Sequence, residues 1–582
     1  MLYPQSNPYR QCVDLSGFWS FRFDPQSEGE AAEWGQGFQG GRPIAVPASW
    51  NDQFEEGRDY LGPAWYQTRF DLPWGWADRR VRLRFGSANY LAEVWLNGTR
   101  LGQHEGGHLP FEFDVSAYVK PEDNLLVVRL EGNLAPDRVP PGHVPPDPLG
   151  GFGIRTYPNT SFDFFPFCGL QRPVLLYAEP QEAIRDLTVV SEIAGQNGRV
   201  RVSIIAGVEG TALARLTLRG HGANVTADVP LRAGAAKTVL TVPQAALWAP
   251  GSPNLYDLIV EISRSATVID RYTLPIGIRT VAVEGDALLL NGQPVLLRGF
   301  GRHEDFAVTG RGLVPAVIVK DYALMHWIGA NSFRTTHYPY SEQMMDLADR
   351  LGFLVIDETP AVGLFFQEEG LERRLALCRQ YIQELIARDK NRPSVIMWSL
   401  ANEPHSTRPA AKGFFRNLYD LAKALDPTRP VTVVSMIGGG EEAFEFCDVV
   451  CLNRYYGWYS ESGQLEQGCA KLSAELDALH ELYPKPLILT EFGADTIAGW
   501  HAQPAEMFSE EYQAEMLTRY LQVLDSKPFV VGQHVWNLCD FKTSQAVFRV
   551  GGMNLKGVFT RDRRPKLAAH RLRELWSKRS LD

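Results

Sequence analysis

Two glutamates each close a short apolar run. Glu403 follows the apolar run Val-Ile-Met-Trp-Ser-Leu-Ala-Asn, and Glu491 follows Leu-Ile-Leu-Thr. Both runs have the short, continuous apolar character of buried strands. A carboxyl at the end of such a strand can pass a proton or attack a carbon. Either glutamate alone would serve equally well in a structural ion pair. Together, with Asn402 beside the first and Trp536 at the end of another apolar run, they make the pair that glycosidic bond hydrolysis requires. One carboxyl acts as acid/base and the other as nucleophile or base. Similar runs lead into Arg302-His303-Glu304-Asp305, His337-Tyr338, Asp357-Glu358, Tyr455-Tyr456 and Trp536-Asn537.

The elements that must hold these groups recur regularly. After Asn291-Gly292 come eight apolar runs: Val295–Gly301, Ser332–His337, Phe353–Asp357, Val395–Leu400, Val431–Ser435, Val449–Asn453, Leu487–Thr490 and Val530–Val535. Most are separated by amphipathic stretches such as Leu371–Asp389, where Leu375, Cys378, Ile382, Leu385 and Ile386 keep helical spacing. Eight strands alternating with helices over about 300 residues predict a (β/α)8 TIM barrel spanning 278–582, with catalytic groups at the C-terminal strand ends. Strands four and seven then face each other across the mouth.

Two β-rich regions precede the barrel. Residues 1–178 alternate in short runs such as Val81–Phe85, Ala92–Leu96 and Leu125–Leu130, with Asn97-Gly98 as a hairpin turn. They predict a jelly-roll-like β-sandwich, with proline-rich Ala135–Pro148 as a long surface loop. Residues 179–277 alternate without helical periodicity and predict an immunoglobulin-like β-sandwich.

Composition narrows the function classes. The chain has 582 residues, 45% hydrophobic and 22% charged, with a net charge of −10. That length calls for about three or four domains. The acidic balance, without long basic runs, speaks against nucleic acid as partner. No run of apolar residues is long enough to span a membrane, and Met1–Arg10 lacks a signal-peptide core. The seven cysteines form no CxxC pair, so neither a disulfide framework nor a zinc site is expected. The chain is expected to be cytoplasmic and to need no cofactor.

Several motifs together resemble glycoside hydrolase family 2, in its β-glucuronidase branch. They are Val94-Trp-Leu-Asn-Gly98 and Glu105-Gly-Gly-His-Leu-Pro-Phe111 in the first sandwich. In the barrel they are Arg334-Thr-Thr-His-Tyr-Pro-Tyr340, Trp398-Ser-Leu-Ala-Asn-Glu-Pro404, Leu452-Asn-Arg-Tyr-Tyr-Gly-Trp-Tyr459 and Leu489-Thr-Glu-Phe-Gly493. The resemblance covers essentially the whole chain. It implies a retaining double displacement with Glu403 as acid/base and Glu491 as nucleophile. It also implies Tyr455 as hydrogen-bond donor to the nucleophile and Asn402 as partner of the sugar 2-hydroxyl. Asp163, in Ser161-Phe-Asp-Phe-Phe165, would reach the barrel mouth to contact sugar hydroxyls. His337 and Tyr459 are implied to bind substrate, and Trp536 to form an apolar floor, its bond to Asn537 expected as cis. Self-association into a dimer or tetramer is implied as well.

The sugar is indicated by Gly551-Gly-Met-Asn-Leu-Lys-Gly557. It resembles the Asn-x-Lys motif by which β-glucuronidases hold the C6 carboxylate, here with Asn554, Lys556 and, just upstream, Arg549. An ammonium and an amide donate charge-assisted hydrogen bonds to a carboxylate. A neutral sugar is expected to be rejected because it would leave Lys556 partly desolvated without a counter-charge. The stretch Gly363–Gly370 is short where some bacterial β-glucuronidases carry a long loop, which suggests an open site for bulky or oligosaccharide leaving groups. A β-galacturonidase fits the same motif. A non-catalytic carbohydrate-binding protein on this scaffold would not need both glutamates.

Overall fold

A computed structural model describes residues 1–143, 156–367 and 369–577. Ala135–Pro148 is therefore described only as far as residue 143.

The first region is a sandwich of two antiparallel sheets. The four-stranded sheet runs in the order Gln11–Asp14, Val174–Glu179, Arg80–Phe85, Phe111–Asp114. The six-stranded sheet runs Arg42–Val46, Gly17–Phe23, Ala64–Phe70, Asn124–Glu131, Leu91–Leu96, Thr99–Glu105. Alternate residues face inward, so Phe21, Tyr66, Leu83, Val94, Leu126 and Leu176 meet in one core. Asn97 and Gly98 both take positive φ (53° and 80°), the backbone that lets a two-residue turn follow the twist of its strands.

The second region packs a three-stranded sheet (Ile184–Ala194, Asn197–Ala206, Ala235–Val242) against a four-stranded one (Ala223–Leu231, Ala212–Gly220, Tyr256–Arg264, Thr267–Ile276). Val200, Val202 and Ile204 are buried while Arg199 and Arg201 point to solvent, the alternation of a half-buried strand.

The barrel closes from eight parallel strands: β1 (Leu297–Arg302), β2 (Ser332–Thr335), β3 (Leu354–Glu358), β4 (Val395–Asn402), β5 (Val431–Ser435), β6 (Val450–Asn453), β7 (Leu487–Glu491) and β8 (Val530–Val535). All eight coincide with the apolar runs. The strand β2 stops at Thr335, so His337 stands on the following loop, after a cis Thr336–His337 peptide. The N-terminal end of the barrel is plugged by Ile356, Ile396, Met397, Val434, Cys451 and Ile488, capped by Trp248 and Leu288. The polar groups therefore collect at the opposite, C-terminal end.

One segment of the first sandwich completes that end. Tyr157 bridges Gln545 and Phe164 bridges Thr543, so residues 157–165 run beside the loop after β8. Phe162 and Phe164 are buried in the same core as the barrel. Arg172 holds the sandwich to the barrel by donating to Glu304 (3.0 Å) and to the Pro339 carbonyl (2.7 Å).

Candidate active site

The strands bring Glu403 and Glu491 into one hydrogen-bonded network. Glu491 is the last residue of β7 and Glu403 follows the last residue of β4. Glu403 has a left-handed backbone (φ 46°), a conformation that costs a non-glycine residue about 1–3 kcal/mol and is found where the surroundings impose it. Its amide donates to the Val434 carbonyl of β5 (2.9 Å).

Glu491 accepts from the Arg334 guanidinium and from the Tyr455 hydroxyl (2.6 Å). Glu403 accepts from the Asn453 amide (2.8 Å). The two halves are joined at Asn402, whose Oδ1 accepts from Arg334 Nη1 (3.3 Å) and Asn453 Nδ2 (3.2 Å). A guanidinium can only donate, so this arrangement orients the Asn402 amide. Among the described residues its Nδ2 donor has no acceptor. Asn453 is itself oriented by the Thr490 hydroxyl, which donates to its Oδ1 (2.8 Å).

Electrostatics separate the two carboxyls. Burial pushes Glu491 up to about 8, with the Glu403 charge adding to the shift and Arg334 and Tyr455 opposing it. Burial also raises Glu403. The pair therefore holds one proton. A positive guanidinium and a phenol favour the charged form of Glu491, whereas Glu403 has one neutral amide. We place the proton on Glu403, which also removes the repulsion that contributes to the rise at Glu491.

Around the pair lies a dense cluster of rings and ions. Arg334, fully buried, also donates to both oxygens of Glu358 (2.8 and 2.7 Å). Burial works against the charge on Glu358, but Arg334, His337 and Ser399 more than offset it and hold its carboxyl below the ordinary range. His337 Nδ1 lies 3.0 Å from Glu358 Oε1 and its Nε2 lies 3.7 Å from Glu491 Oε1. Burial holds this imidazole neutral, and an ionised Glu358 fixes its proton on Nδ1. Trp536 stacks on His337 with centroids 5.0 Å apart, and the Trp536–Asn537 peptide is cis.

A second cluster lies beside this one, where the segment from the first sandwich meets the loop after β8. Arg549 donates twice to Asp163 (2.8 Å each) and once to the Tyr459 hydroxyl (3.1 Å). Asn554 donates to Asp163 (2.6 Å). Lys556 donates to the Tyr459 hydroxyl (2.8 Å) and forms an ion pair with Asp495. The structure thus gathers all eleven candidate residues into two adjoining clusters. It also overturns one expectation: Lys556 does not lack a counter-charge, because Asp495 supplies one within the protein.

Five contributors carry no assigned role in the sequence. Arg334 was visible within a motif, but an arginine at a strand end carries no label of its own. Glu358 and Asn453 likewise end apolar strands. Asp495 follows Glu491 by four residues on the same loop, and its spacing alone has no signature. His303 belongs with them: its Nδ1 meets the Tyr338 hydroxyl (3.0 Å), and its Nε2 is buried without a partner among the described residues. Its ring lies between Trp536 and Phe164.

Comparisons with known proteins agree with this layout. "Glycosyl hydrolases family 2, sugar binding domain" matches residues 12–180, "Glycosyl hydrolases family 2" matches 182–279, and "Glycosyl hydrolases family 2, TIM barrel domain" matches 281–580. A β-glucuronidase of Paenibacillus borealis is 42% identical, with 99% of this chain and 98% of that protein covered. The human β-glucuronidase is 40% identical, covering 99% of this chain and 92% of its own length. Among solved structures, a β-glucuronidase of Ruminococcus gnavus in complex with D-glucuronic acid superposes with a TM-score of 0.92 at 38% identity, covering 99% of each chain. Over nearly its whole length, with three matching domains and the barrel that carries both glutamates, the chain belongs to glycoside hydrolase family 2.

Proposed function

We propose that this enzyme is an exo-acting β-glucuronidase that releases terminal β-D-glucuronic acid with retention of configuration. The observation that carries the reading is that Glu403 and an Arg334-bound Glu491 share one hydrogen-bonded network beside a lysine–tyrosine–asparagine cluster suited to a carboxylate. Glu491 attacks the anomeric carbon while Glu403 protonates the departing glycosidic oxygen. Retaining enzymes place such carboxyls about 5–5.5 Å apart. Once Glu491 is esterified its charge is gone, and Glu403, having given up its proton, serves as base for the incoming water. The free Asn402 amide donates to the sugar 2-hydroxyl, a contact that strengthens toward the transition state. Tyr455 stabilises the Glu491 carboxylate as it departs in the second step. Asn554 and Lys556 bind the C6 carboxylate, Asp163 and His337 meet ring hydroxyls, and Trp536 floors the ring.

The test is nitrophenol release from four matched β-glycosides: glucuronide, galacturonide, glucoside and galactoside, with Glu491→Gln as control. Preferred turnover of the glucuronide, lost in the control and yielding the β-anomer first by NMR, supports every part. Preference for the galacturonide keeps the mechanism and moves the specificity to contacts around O4. Activity on neutral sugars alone refutes the carboxylate site. The short Gly363–Gly370 stretch supports an open leaving-group side, tested by comparing glucuronide-capped oligosaccharides with small aryl glucuronides.

A further inference from the structure

The Lys556 side chain is buried, 1% exposed, inside a barrel mouth that also holds Arg549. Its ammonium has three protons. One goes to the Tyr459 hydroxyl and one to Asp495, which leaves one without a partner among the described residues. The rings of Tyr455, Trp458 and Tyr459 surround it, with centroids 5.7, 5.5 and 4.6 Å away. Arg549 is committed to Asp163 by a bidentate pair and lies 3.4 Å from Asp495. Behind Asp495, Asp540 is neutralised by Lys566 (2.8 Å). The cluster thus contains two cations, Lys556 and Arg549, and two carboxylates, Asp163 and Asp495. Among the described residues Asp495 is the only carboxylate paired with Lys556.

Asp495 does a second thing. Its Oδ1 accepts from the Leu555 amide (2.8 Å), between the two residues of the Asn-x-Lys motif. The loop that begins at Glu491 therefore holds the turn that carries Lys556. The Gln513 amide holds the same two segments, donating to the carbonyls of Ala494 (3.2 Å), Lys556 (3.1 Å) and Gly557 (3.2 Å).

We propose that Asp495 is the positioning residue for uronate selectivity: it keeps the buried ammonium of Lys556 in place so that its remaining N–H meets the C6 carboxylate. The inference rests on the β-glucuronidase reading. Selectivity then arises from geometry within a charge-balanced cluster rather than from an uncompensated lysine. A carboxylate gains a charge-assisted bond from an ammonium already in position, without the ordering cost of a free side chain. A hydroxymethyl group gains only a neutral contact.

The test is Asp495→Asn, which keeps the shape and an oxygen for the Leu555 amide but removes the charge. kcat and KM are measured for nitrophenyl β-glucuronide and β-glucoside. We expect the glucuronide KM to rise about 10- to 100-fold, the worth of one charge-assisted hydrogen bond, with kcat held within about threefold and the glucoside KM within about twofold. Asp495→Glu, which keeps the charge, should recover part of the loss. Equal losses on both sugars would make Asp495 merely structural and overturn the proposal. A lower glucuronide KM would also overturn it, by showing that Asp495 competes with the substrate for Lys556. If the single variant does not fold, Asp495→Asn is compared in a Lys556→Gln background, where the net charge of the cluster is kept. There it should add no further selectivity loss beyond Lys556→Gln alone, and an additive loss would refute action through the lysine. Failure of the underlying reading would show separately, as an unmutated enzyme that prefers neutral sugars.

Discussion

Replacing Tyr455 by phenylalanine tests the assignment of the nucleophile. The change removes one hydroxyl that donates to Glu491 Oε2, 2.6 Å from the phenolic oxygen, and leaves the ring's packing. A hydrogen bond to a buried charged group contributes about 1.5–3 kcal/mol. The bond stabilises the ionised carboxylate more than the neutral one, so its loss raises the affinity of Glu491 for a proton. At 1.36 kcal/mol per pH unit, that energy moves the titration upward by about one to two units. In the proposed mechanism Glu491 must be ionised to attack, so the acid limb of the kcat/KM profile should shift to higher pH by that amount. The second step, in which Glu491 leaves as a carboxylate, loses the same stabilisation and should slow about 10- to 150-fold. The assay is a full pH profile on nitrophenyl β-glucuronide, with pre-steady-state mixing to detect a burst of nitrophenol. An acid limb that stays in place, or moves to lower pH, would refute the placement of the single negative charge on Glu491.

Further outcomes follow from other contacts. Asn402→Ala should lower kcat by about 10- to 100-fold, while a 2-deoxy substrate, lacking the partner hydroxyl, should lose little more in the variant; this is read by comparing the two substrates. Lys556→Met removes the nearer of the two cations paired with buried Asp495, leaving Arg549 at 3.4 Å, and should cost about 1–3 kcal/mol of stability, measured by denaturant unfolding. Burial lowers His534, on β8, from its ordinary value to about 3. Its folded form binds fewer protons than the unfolded chain, so its contribution to stability is full above about pH 6.5 and is lost as pH falls toward 3. The stability of His534→Gln relative to the unmutated chain should therefore rise by about 1.4 kcal/mol per unit below pH 6.5. Gly493→Ala would drive a Cβ into the Trp536 carbonyl oxygen and should displace the floor, lowering kcat/KM with a loss of near-UV ellipticity.

Much of this enzyme can be read along the chain because the relevant patterns are local. Barrel strands are buried on both faces, so each appears as a short apolar run, and the two glutamates proposed as catalytic stand at the ends of such runs. The Asn-Gly hairpin and the alternation of the two sandwiches are equally local, since a period of two residues decides which face is buried. Local patterns suffice to say which residues lie on strands, where those strands end and which side chains are thereby delivered to the mouth. Which of those side chains meet depends on how the strands and domains come together in space. Arg334 bridges Glu358, Asn402 and Glu491 from three other strands, and Asp163 crosses from another domain to Arg549 and Asn554. Asp495 neutralises a lysine 61 residues away along the chain. Charge balance in a buried cluster depends on distances between groups far apart in sequence, because an ion pair is made by proximity and desolvation rather than by spacing. For that reason the lysine looked uncompensated in the sequence and is paired in the fold.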